Sequence, residues 1–327
     1  MRYFSFQMLN SFITLLSFSP LSTLALSVPT TIFTLPGPAN PSSWFENLAV
    51  RPNGLILATR GDAPEIWEID PATGQGALLV SVTGAFNLTG IAEVNRCQSC
   101  QETYVVGSSY IPAPLQVEPG SAKVWTLEFG SNGVPTVSLL AAMPQAGFIN
   151  GIASWGSDHV LLSDTEAESI YLMDVDTGSY TTPLTNMTGI NGIKTTQGYI
   201  YRADHLSSTL SRIPVDETTA VPTGPAEVLA DSQPIDDFAI AVDEFGEGKA
   251  YIGAMYENEI VEVTFGPAPS SAPGVKRLVA DDLTGTGTGL CAVVAFGRRA
   301  EDEELLYATV NQGGSASAAI VVLDPNE

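Results

Sequence analysis

The order of apolar and polar positions repeats along the chain and predicts β-strands throughout. One kind of segment alternates apolar and polar residues, as in Glu65–Asp70 and Lys123–Glu128, which is typical of a strand with one buried face. A more apolar strand precedes each such segment, and a third strand with a shared opening precedes that one. The six openings are Glu46–Ala49, Thr89–Ala92, Asn150–Ala153, Asn191–Lys194, Asp236–Ala239 and Thr288–Cys291.

These openings recur about every 40–60 residues, a spacing typical of propellers with four strands per repeat. The repeats predict an all-β fold, a six-bladed β-propeller of four-stranded antiparallel blades that forms one domain over residues 28–327. The sixth unit ends after Ala319–Asp324 without a fourth strand, whereas Thr30–Leu35 has strand composition ahead of the first unit. We therefore expect this N-terminal strand to complete the last blade and close the ring, which would protect its sheet edge.

The first 27 residues have the organisation of a secretory signal peptide. Arg2 supplies a charged start, an apolar stretch runs from Phe12 to Phe18, and Ala25-Leu26-Ser27 is a small-x-small cleavage site. No later run of 18 apolar residues occurs, so the sequence predicts no membrane span. Together with glycosylation sequons at Asn87 and Asn186, these features predict a protein that is secreted or resides in the secretory lumen.

Charge and cysteine content narrow the class of partner. The chain carries 36 acidic and 13 basic residues, a formal net charge of −23, which argues against nucleic-acid binding. Solubility in an acidic or extracellular medium explains this acidity better than an acidic binding surface does.

Cys97 and Cys100 have the spacing of a metal knuckle, but a second Cys or His pair is missing, so an oxidising compartment favours a disulfide. Cys291 lies in an apolar run and is expected to be a buried free thiol.

The first positions of the six openings are polar and, in a propeller, point toward the central channel. They are Glu46, Thr89, Asn150, Asn191, Asp236 and Thr288. Because the inner strands converge, two acids, two amides and two hydroxyls become neighbours at one mouth. One interpretation is the polar lining of a water-filled channel. The other is a functional site, in which Glu46, Asn191 and Asp236 could offer hard oxygen ligands to Ca²⁺, Mg²⁺ or Mn²⁺.

This ring of oxygen-bearing residues resembles that of the senescence-marker-protein/gluconolactonase group of six-bladed propellers. In that group Glu, Asn and Asp at inner-strand openings hold a divalent metal, and a further Asn contacts substrate. The resemblance implies metal roles for Glu46, Asn191 and Asp236, a substrate contact for Asn150, and a divalent-metal-dependent lactonase or hydrolase. The chain departs from the group where Asn150-Gly151 and Asp236-Asp237 replace its Asn-Asp-Gly and Pro-Asp-Gly contexts.

Over its whole length the chain also resembles a group of secreted fungal propellers encoded with natural-product pathways. The shared motifs are Phe45-Glu46-Asn47-Leu48-Ala49, the following Arg51-Pro52-Asn53-Gly54, and the turn Ile149-Asn150-Gly151-Ile152. Some members resemble hetero-Diels–Alderases, which couple a quinone-methide-like tropolone to a polyene terpene. The resemblance implies a pericyclase that requires no cofactor and acts on polyketide- or terpene-like small molecules. This is our leading hypothesis, with a monomer expected; a secreted binding protein without activity is a further alternative.

Under the leading hypothesis the site residues fall into two groups. Those assigned to catalysis are Glu46, Asn150, Asn191 and Asp236, and those assigned to substrate binding are Trp44, Thr89, Phe148, Tyr256 and Thr288. An acid and amides could assist loss of water from a hydroxymethyl precursor and polarise the diene carbonyl, while apolar walls hold the terpene. Packing between blades explains Trp44 and Phe148 equally well.

Two loops are expected on the same face as the openings. The insertion Ser108–Ala122 lies between the second and third strands of the second unit, where a lid and an inert surface loop are equally compatible with it. Asp204-His205 follows a second strand and could supply a base, although a solvated loop pair explains it better.

Overall fold

The computed structural model describes residues 26–37, 42–94, 96, 101–111, 116–270, 273–285, 289–311 and 317–327. Regular structure within these ranges is entirely β, with twenty-four strands in six four-stranded antiparallel sheets. The first strands of successive sheets contact one another around a closed ring, so the sheets are the blades of a propeller. The predicted all-β, six-bladed architecture is confirmed.

An N-terminal strand precedes the first three blades, each of which follows the chain from its inner to its outer edge. In chain order these strands are β1 (Thr30–Thr34), then β2 (Phe45–Val50), β3 (Ile56–Arg60), β4 (Glu65–Asp70) and β5 (Gln75–Ser81), then β6 (Ile91–Glu93), β7 (Thr103–Ser108), β8 (Lys123–Phe129) and β9 (Pro135–Ala142), then β10 (Ile149–Trp155), β11 (His159–Asp164), β12 (Ser169–Asp174) and β13 (Tyr180–Leu184).

The last three blades continue in the same sense. Their strands are β14 (Ile190–Thr196), β15 (Tyr199–Asp204), β16 (Thr209–Pro214) and β17 (Glu227–Ala230), then β18 (Phe238–Val242), β19 (Gly248–Ala254), β20 (Glu259–Phe265) and β21 (Val275–Ala280), then β22 (Val294–Phe296), β23 (Leu306–Val310) and β24 (Ala319–Leu323). The inner strands β6 and β22 have three residues each, shorter than the repeat predicts.

Ring closure follows the prediction. The last sheet has the order β1-β24-β23-β22, and β1 pairs antiparallel with β24 from Thr30 opposite Val322 to Thr34 opposite Ala319. Phe33 buries its ring against Phe45 of the first blade and Trp67, with centroids 6.3 and 6.0 Å apart. The N-terminal strand therefore joins the last blade to the first.

Hydroxyl side chains on and beside the inner strands connect one blade to the next. Thr59 donates to the carbonyl oxygen of Thr89 at 2.6 Å, and Thr89 donates to that of Ile149 at 2.6 Å. Ser163 donates to the carbonyl oxygen of Asn191 at 2.5 Å. These buried bonds hold the inner strands at fixed separation around the channel, and so fix the geometry of its mouths.

Several sequence-based expectations concern residues outside the described ranges. These are most of the proposed signal peptide, the cysteine pair Cys97 and Cys100, and Thr288. Cys291 is a buried free thiol, as predicted. Within the described part of the chain, no helix has the length and apolar character needed to cross a bilayer.

Candidate active site

A cavity of about 400 Å³ lies at the channel mouth where the inner strands begin. It brings together the four residues assigned to catalysis and two of those assigned to substrate binding. The lining residues are Glu46, Ile111, Val117, Phe148, Asn150, Thr165, Glu166, Asn191, His205, Ser208, Pro234, Ile235, Asp236, Met255 and Tyr256. They come from five blades, so the site exists only in the closed ring.

Glycines next to the site residues allow the inner strands to approach each other closely. The register shifts between Ile149 and Ile152, and again between Ile190 and Ile193, in the strands that carry Asn150-Gly151 and Asn191-Gly192. A Cβ on Gly192 would lie 2.3 Å from a carboxylate oxygen of Asp237. Glycine is therefore required there by the packing of the inner strands, which presents the preceding asparagine to the cavity.

Glu46, which is half-buried, and Asp236, which is 5% exposed, are two carboxyl groups that line the same cavity and interact electrostatically. Burial raises the pKa of Glu46 to about 7, a hydrogen bond from Trp44 Nε1 acts in the opposite direction, and the charge of Asp237 adds to the rise. Burial also raises the pKa of Asp236 well above its usual range, with the charges of Glu46 and Asp237 acting in the same direction. The pair therefore retains a proton near neutral pH and can act as an acid.

Asp237, which follows Asp236 in the sequence, belongs to a buried network of polar contacts. Asp237 is 4% exposed, accepts a hydrogen bond from Asn47 Nδ2 at 3.0 Å and pairs with Lys194 Nζ at 2.5 Å. Lys194 also lines a separate cavity of about 350 Å³ at the far end of the inner strands. Asp237 lies close enough to the carboxyl groups of Glu46 and Asp236 for its charge to raise the pKa of both.

The cavity wall opposite the inner strands is mostly apolar. Phe148, Met255 and Tyr256 contribute to it, and the described ends of the Ser108–Ala122 insertion add Ile111 and Val117. The expectation that this insertion lies at the mouth is thereby met for those two residues. An acid pair facing an apolar wall suits a substrate with one polar reacting end and a larger hydrocarbon part.

The carboxylate of Asp164, which is fully buried, organises the loops that carry part of this wall. It accepts hydrogen bonds from the backbone N–H groups of Gly147 at 2.8 Å and Phe148 at 2.9 Å. It also accepts bonds from those of Glu166 at 3.1 Å and Ala167 at 2.9 Å. One side chain thus holds the approach to β10 and the β11–β12 turn in a single arrangement.

Asn150 and Thr165 form a polar edge of the cavity. Asn150 Nδ2 donates to Thr165 Oγ1 at 3.3 Å, and Thr165 in turn donates to the carbonyl oxygen of Ile190 at 2.8 Å. The direction of the Asn150 amide is therefore set by the neighbouring blade. Thr165 and Glu166 line the cavity without having been predicted, because nothing in the repeat distinguishes this turn from the others.

Other predicted contacts have different surroundings. Trp44 is not among the cavity-lining residues, and its indole N–H donates to Glu46 instead. Thr89 is also absent from the lining, and its hydroxyl bonds to Ile149. Asn87 is 4% exposed and accepts a hydrogen bond from the Ser109 N–H at 3.0 Å, which argues against a glycan there in the folded protein. Asn186 is exposed, so glycosylation at that position stays a prediction.

Two oxygens of the cavity lining could serve as ligands for a hard cation. Asn191 Oδ1 and Asp236 Oδ2 are buried and have no hydrogen-bond partner among the described residues. Orphaned oxygens of this kind can be satisfied by a divalent cation or by a donor group of a substrate. In the same part of the chain, no three His, Cys, Asp or Glu side chains are arranged to hold a metal, so a cation would need the Asn191 amide as a ligand beside Glu46 and Asp236.

Comparison with known sequences supports one of the two resemblances. No protein-family model matches the chain. It is 26% identical over 310 residues to a candidate hetero-Diels–Alderase of Phoma sp., with 82% of this chain and 84% of the relative covered. It is 24% identical over 313 residues to a candidate hetero-Diels–Alderase of Sarocladium schorii, with 82% and 75% covered. Both alignments therefore cover about four-fifths of this chain.

Solved structures share the architecture at low sequence identity. A calcium-binding regucalcin from Agrobacterium tumefaciens superposes with a TM-score of 0.59 and 16% identity, covering 89% of this chain and 95% of that one. The major allergen Mala s 1 of Malassezia sympodialis superposes with a TM-score of 0.60 at 10% sequence identity, covering 91% of this chain and 95% of the allergen. A protein described as a candidate gluconolactonase superposes with a TM-score of 0.59 at 12% sequence identity, covering 91% of this chain and 92% of that one. These likenesses support the propeller fold and no activity.

Proposed function

We propose that this protein is an enzyme that couples two unsaturated small molecules in a hetero-Diels–Alder reaction without a cofactor. The observation that carries the proposal is the cavity, in which the carboxyl groups of Glu46 and Asp236 share a lining with apolar side chains such as Phe148 and Met255. Likeness to two candidate hetero-Diels–Alderases over 82% of this chain supports it. The substrate class that fits is a tropolone-type quinone methide with a polyene terpene.

Such a reaction needs positioning more than it needs a reactive side chain. Holding the two partners near attack distance can lower the activation free energy by about 7–11 kcal/mol, because binding has already met the entropic cost of bringing them together. The apolar wall around Phe148 and Tyr256 would hold the hydrocarbon partner. The cavity of about 400 Å³ lies within the usual range for small-molecule sites.

The polar floor would act on the heterodiene. A protonated carboxyl of the Glu46–Asp236 pair can donate a hydrogen bond to the carbonyl oxygen of the heterodiene. This bond lowers the energy of the lowest unoccupied orbital of the heterodiene, and so lowers the barrier to cycloaddition. The same acid can protonate a leaving hydroxyl when the heterodiene is made from a hydroxymethyl precursor. The amides of Asn150 and Asn191 would orient the oxygen-rich ring.

A metal-dependent lactonase is the second candidate function, and one observation favours it. The orphaned oxygens of Asn191 and Asp236, with Glu46, would hold Ca²⁺, Mg²⁺ or Mn²⁺. A bound cation would supply Lewis-acid polarisation of the lactone carbonyl. The side chains themselves would orient the ring through Asn150 and exclude water through the apolar wall.

The test is to incubate purified protein with a hydroxymethyl tropolone and a polyene terpene, and to measure coupled product and its stereochemistry. Wild type is compared with Glu46→Gln, Asp236→Asn and the exposed, nearby Glu257→Gln as a control. We expect product with wild type and the control, at least ~100-fold less with the two site variants, and no loss in EDTA. EDTA-sensitive turnover of a lactone, restored by Ca²⁺ or Mn²⁺, would instead establish the second candidate. Binding of these substrates without turnover of either would indicate that the protein is a binding protein without enzymatic activity.

We propose also that the protein is secreted as a monomer after removal of residues 1–27, with a Cys97–Cys100 disulfide and a glycan at Asn186. The charged start, apolar stretch and small-residue site of the N-terminus support secretion. Mass spectrometry of the secreted protein tests the N-terminus, the disulfide and the glycan together. Light scattering tests the monomer. Retention of residues 1–27 would contradict secretion through a cleaved signal.

A further inference from the structure

Ser27, three residues ahead of β1, is anchored to two blades of the propeller. It is 5% exposed. Its backbone N–H donates to the carbonyl oxygen of Val279 at 2.8 Å, and its hydroxyl donates to that of Asp324 at 2.6 Å. Val279 belongs to β21, the outer strand of the fifth blade, and Asp324 directly follows β24 of the sixth. Ser27 is therefore an integral part of the folded ring.

These contacts bear on where the signal peptide ends. A cut after Ser27, which the pattern Ala25-Leu26-Ser27 favours, would remove both hydrogen bonds along with the residue. Removal of a buried donor leaves its acceptor without that partner, which is unfavourable. The new first residue, Val28, is 83% exposed and cannot take over the buried position. The fold thus requires a cut upstream of Ser27.

A second site with small residues lies two positions upstream. In Thr23-Leu24-Ala25, small residues occupy the last and the third-last positions before Leu26, the pattern typical of a signal-peptide cleavage site. A cut after Ala25 retains Ser27 and leaves one residue ahead of it. That residue, Leu26, is 39% exposed, so a free chain end is accommodated there. The residue pattern permits both cuts, and the contacts of Ser27 favour the upstream one.

The surroundings of Leu26 suit a positively charged chain end. Leu26 lines a surface cavity of about 350 Å³ together with Asp281 and Asp282. Burial, and then the charges of Glu257 and Asp281, raises the pKa of Glu259, which shows that negative charge accumulates in this part of the surface. A peptide nitrogen carries no charge, whereas the amino group released by a cut is an ammonium group. Its attraction to these carboxylates is favourable.

We propose that signal peptidase cuts after Ala25, so that Leu26 is the first residue of the mature protein and Ser27 is retained as an anchor between the fifth and sixth blades. This inference rests on the proposed secretion. It moves the start of the mature chain two residues upstream of Val28. The peptide bond between Ala25 and Leu26 is hydrolysed: water supplies a hydroxyl to the Ala25 carbonyl carbon and a hydrogen to the Leu26 nitrogen, which then takes a further proton from solvent.

A start at Leu26 gives the N-terminal segment contacts with three consecutive blades. Ser27 bonds to the fifth blade through Val279, and β1 is the outer strand of the sixth. Phe33 packs against Phe45 of the first. A start at Val28 would keep the contacts with the sixth and first blades and lose the bond to the fifth. The position of the cut therefore determines how far the chain end reaches around the ring.

The first experiment determines the N-terminus of the secreted protein by sequencing and, after removal of glycans, by intact mass. We expect the chain to begin at Leu26. A start at Val28, or at any other residue downstream of Met1, would overturn this inference and leave secretion through a cleaved signal intact. A secreted chain that keeps Met1 would instead refute the proposed cleaved signal.

The second experiment tests the structural reason for the cut. Forms that begin at Leu26 and at Val28 are released from a fusion partner by a protease that leaves no extra residue, and the longer form is also made with Ser27→Ala. Ser131→Ala, at an exposed turn between β8 and β9, is the matched control. We expect the Val28 form and Ser27→Ala to have guanidinium midpoints lower by roughly 0.2–0.5 M, and the control to be unchanged. Equal midpoints for the two starting residues would overturn the inference.

Discussion

The carboxylate of Asp164 accepts a hydrogen bond from the backbone N–H of Phe148 at 2.9 Å, and so connects the end of β11 to the cavity wall. The same group accepts three further backbone N–H bonds within the two adjoining loops. Because it is fully buried, its removal leaves several donors without a partner.

We expect Asp164→Ala to lower the free energy of unfolding by about 2–4 kcal/mol, measured in guanidinium. Asp174→Ala is the control, since Asp174 accepts similar turn bonds from the backbone N–H groups of Asp176 and Thr177 while its side chain is 32% exposed. The control should cost about 1 kcal/mol or less. Equal losses in the two variants would show that the buried network has no special role.

Stability should depend on pH through Glu46. The pKa of this carboxyl is about 7 in the folded protein, against 4.5 as its ordinary value. The folded state therefore binds the proton more tightly than the unfolded chain. Its contribution to stability is fully present below pH 4.5 and is lost as pH rises to 7, at up to about 1.4 kcal/mol per pH unit. Asp236, whose pKa is also raised, acts in the same direction.

Glu46→Gln removes the titrating group and should flatten this dependence. Guanidinium unfolding at pH 5, 6, 7 and 8 measures the slope for wild type, for Glu46→Gln and for Glu257→Gln as an exposed control. A wild-type slope that persists unchanged in Glu46→Gln would show that Glu46 is ionised throughout this range.

Product selectivity should depend on Phe148. Phe148→Ala enlarges the apolar wall of the cavity, so partners can bind in more than one orientation. We expect the ratio of the major to the minor stereoisomer to fall by about 10-fold, as loss of a few apolar contacts commonly does. Chiral chromatography of the coupled product measures the ratio.

Phe245→Ala is the matched control, because Phe245 is 74% exposed and is not a lining residue of the cavity. Its product ratio should equal that of wild type. Unchanged selectivity in Phe148→Ala would indicate that the hydrocarbon partner binds elsewhere.

Ring closure should be measurable through Phe33, the buried anchor of β1. Phe33→Ala removes its packing against Phe45 and Trp67 and should lower the free energy of unfolding by about 3–5 kcal/mol. Thr31→Ala, at an exposed position of the same strand, should change it by less than about 0.5 kcal/mol. Amide exchange in β24 tests the mechanism, since loss of the β1 contact should expose Val322 and its neighbours.

The propeller could be predicted from sequence because each blade repeats the same two signals. Alternation in segments such as Glu65–Asp70 gives the exact bounds of β4, and Asn-Gly at the openings marks inner strands. The lengths of β6 and β22 could not be predicted in this way. No local pattern of apolar and polar residues records where those two strands begin and end.

Part of the site could be predicted because the inner strands of a propeller converge on its central channel. Convergence of the openings is enough to place Glu46, Asn150, Asn191 and Asp236 in one cavity. The direction of individual side chains is a different matter. Trp44 bonds to Glu46 and Thr89 bonds to Ile149, because the register of each strand offers them those partners.

His205 shows most clearly where sequence reasoning stops. Its position after β15 places it at the mouth, but its ring is held by a 2.8 Å contact between Nδ1 and the carbonyl oxygen of Gly189, in the turn before β14. Distance along the sequence gives no indication that the two groups meet. The charge of Asp237 beside the carboxyl pair was missed similarly, since its neighbours Asn47 and Lys194 come from other blades.

The pairing of β1 with β24 also imposes an order on biosynthesis. Among the strands described, β1 leaves the ribosome before its partner β24, so during translation it has an unpaired edge while the intervening blades form. An exposed edge of this kind is open to pairing with other nascent chains. We therefore expect chaperone dependence to end only when Ala319–Leu323 emerges, and C-terminal truncations to aggregate although five blades remain intact.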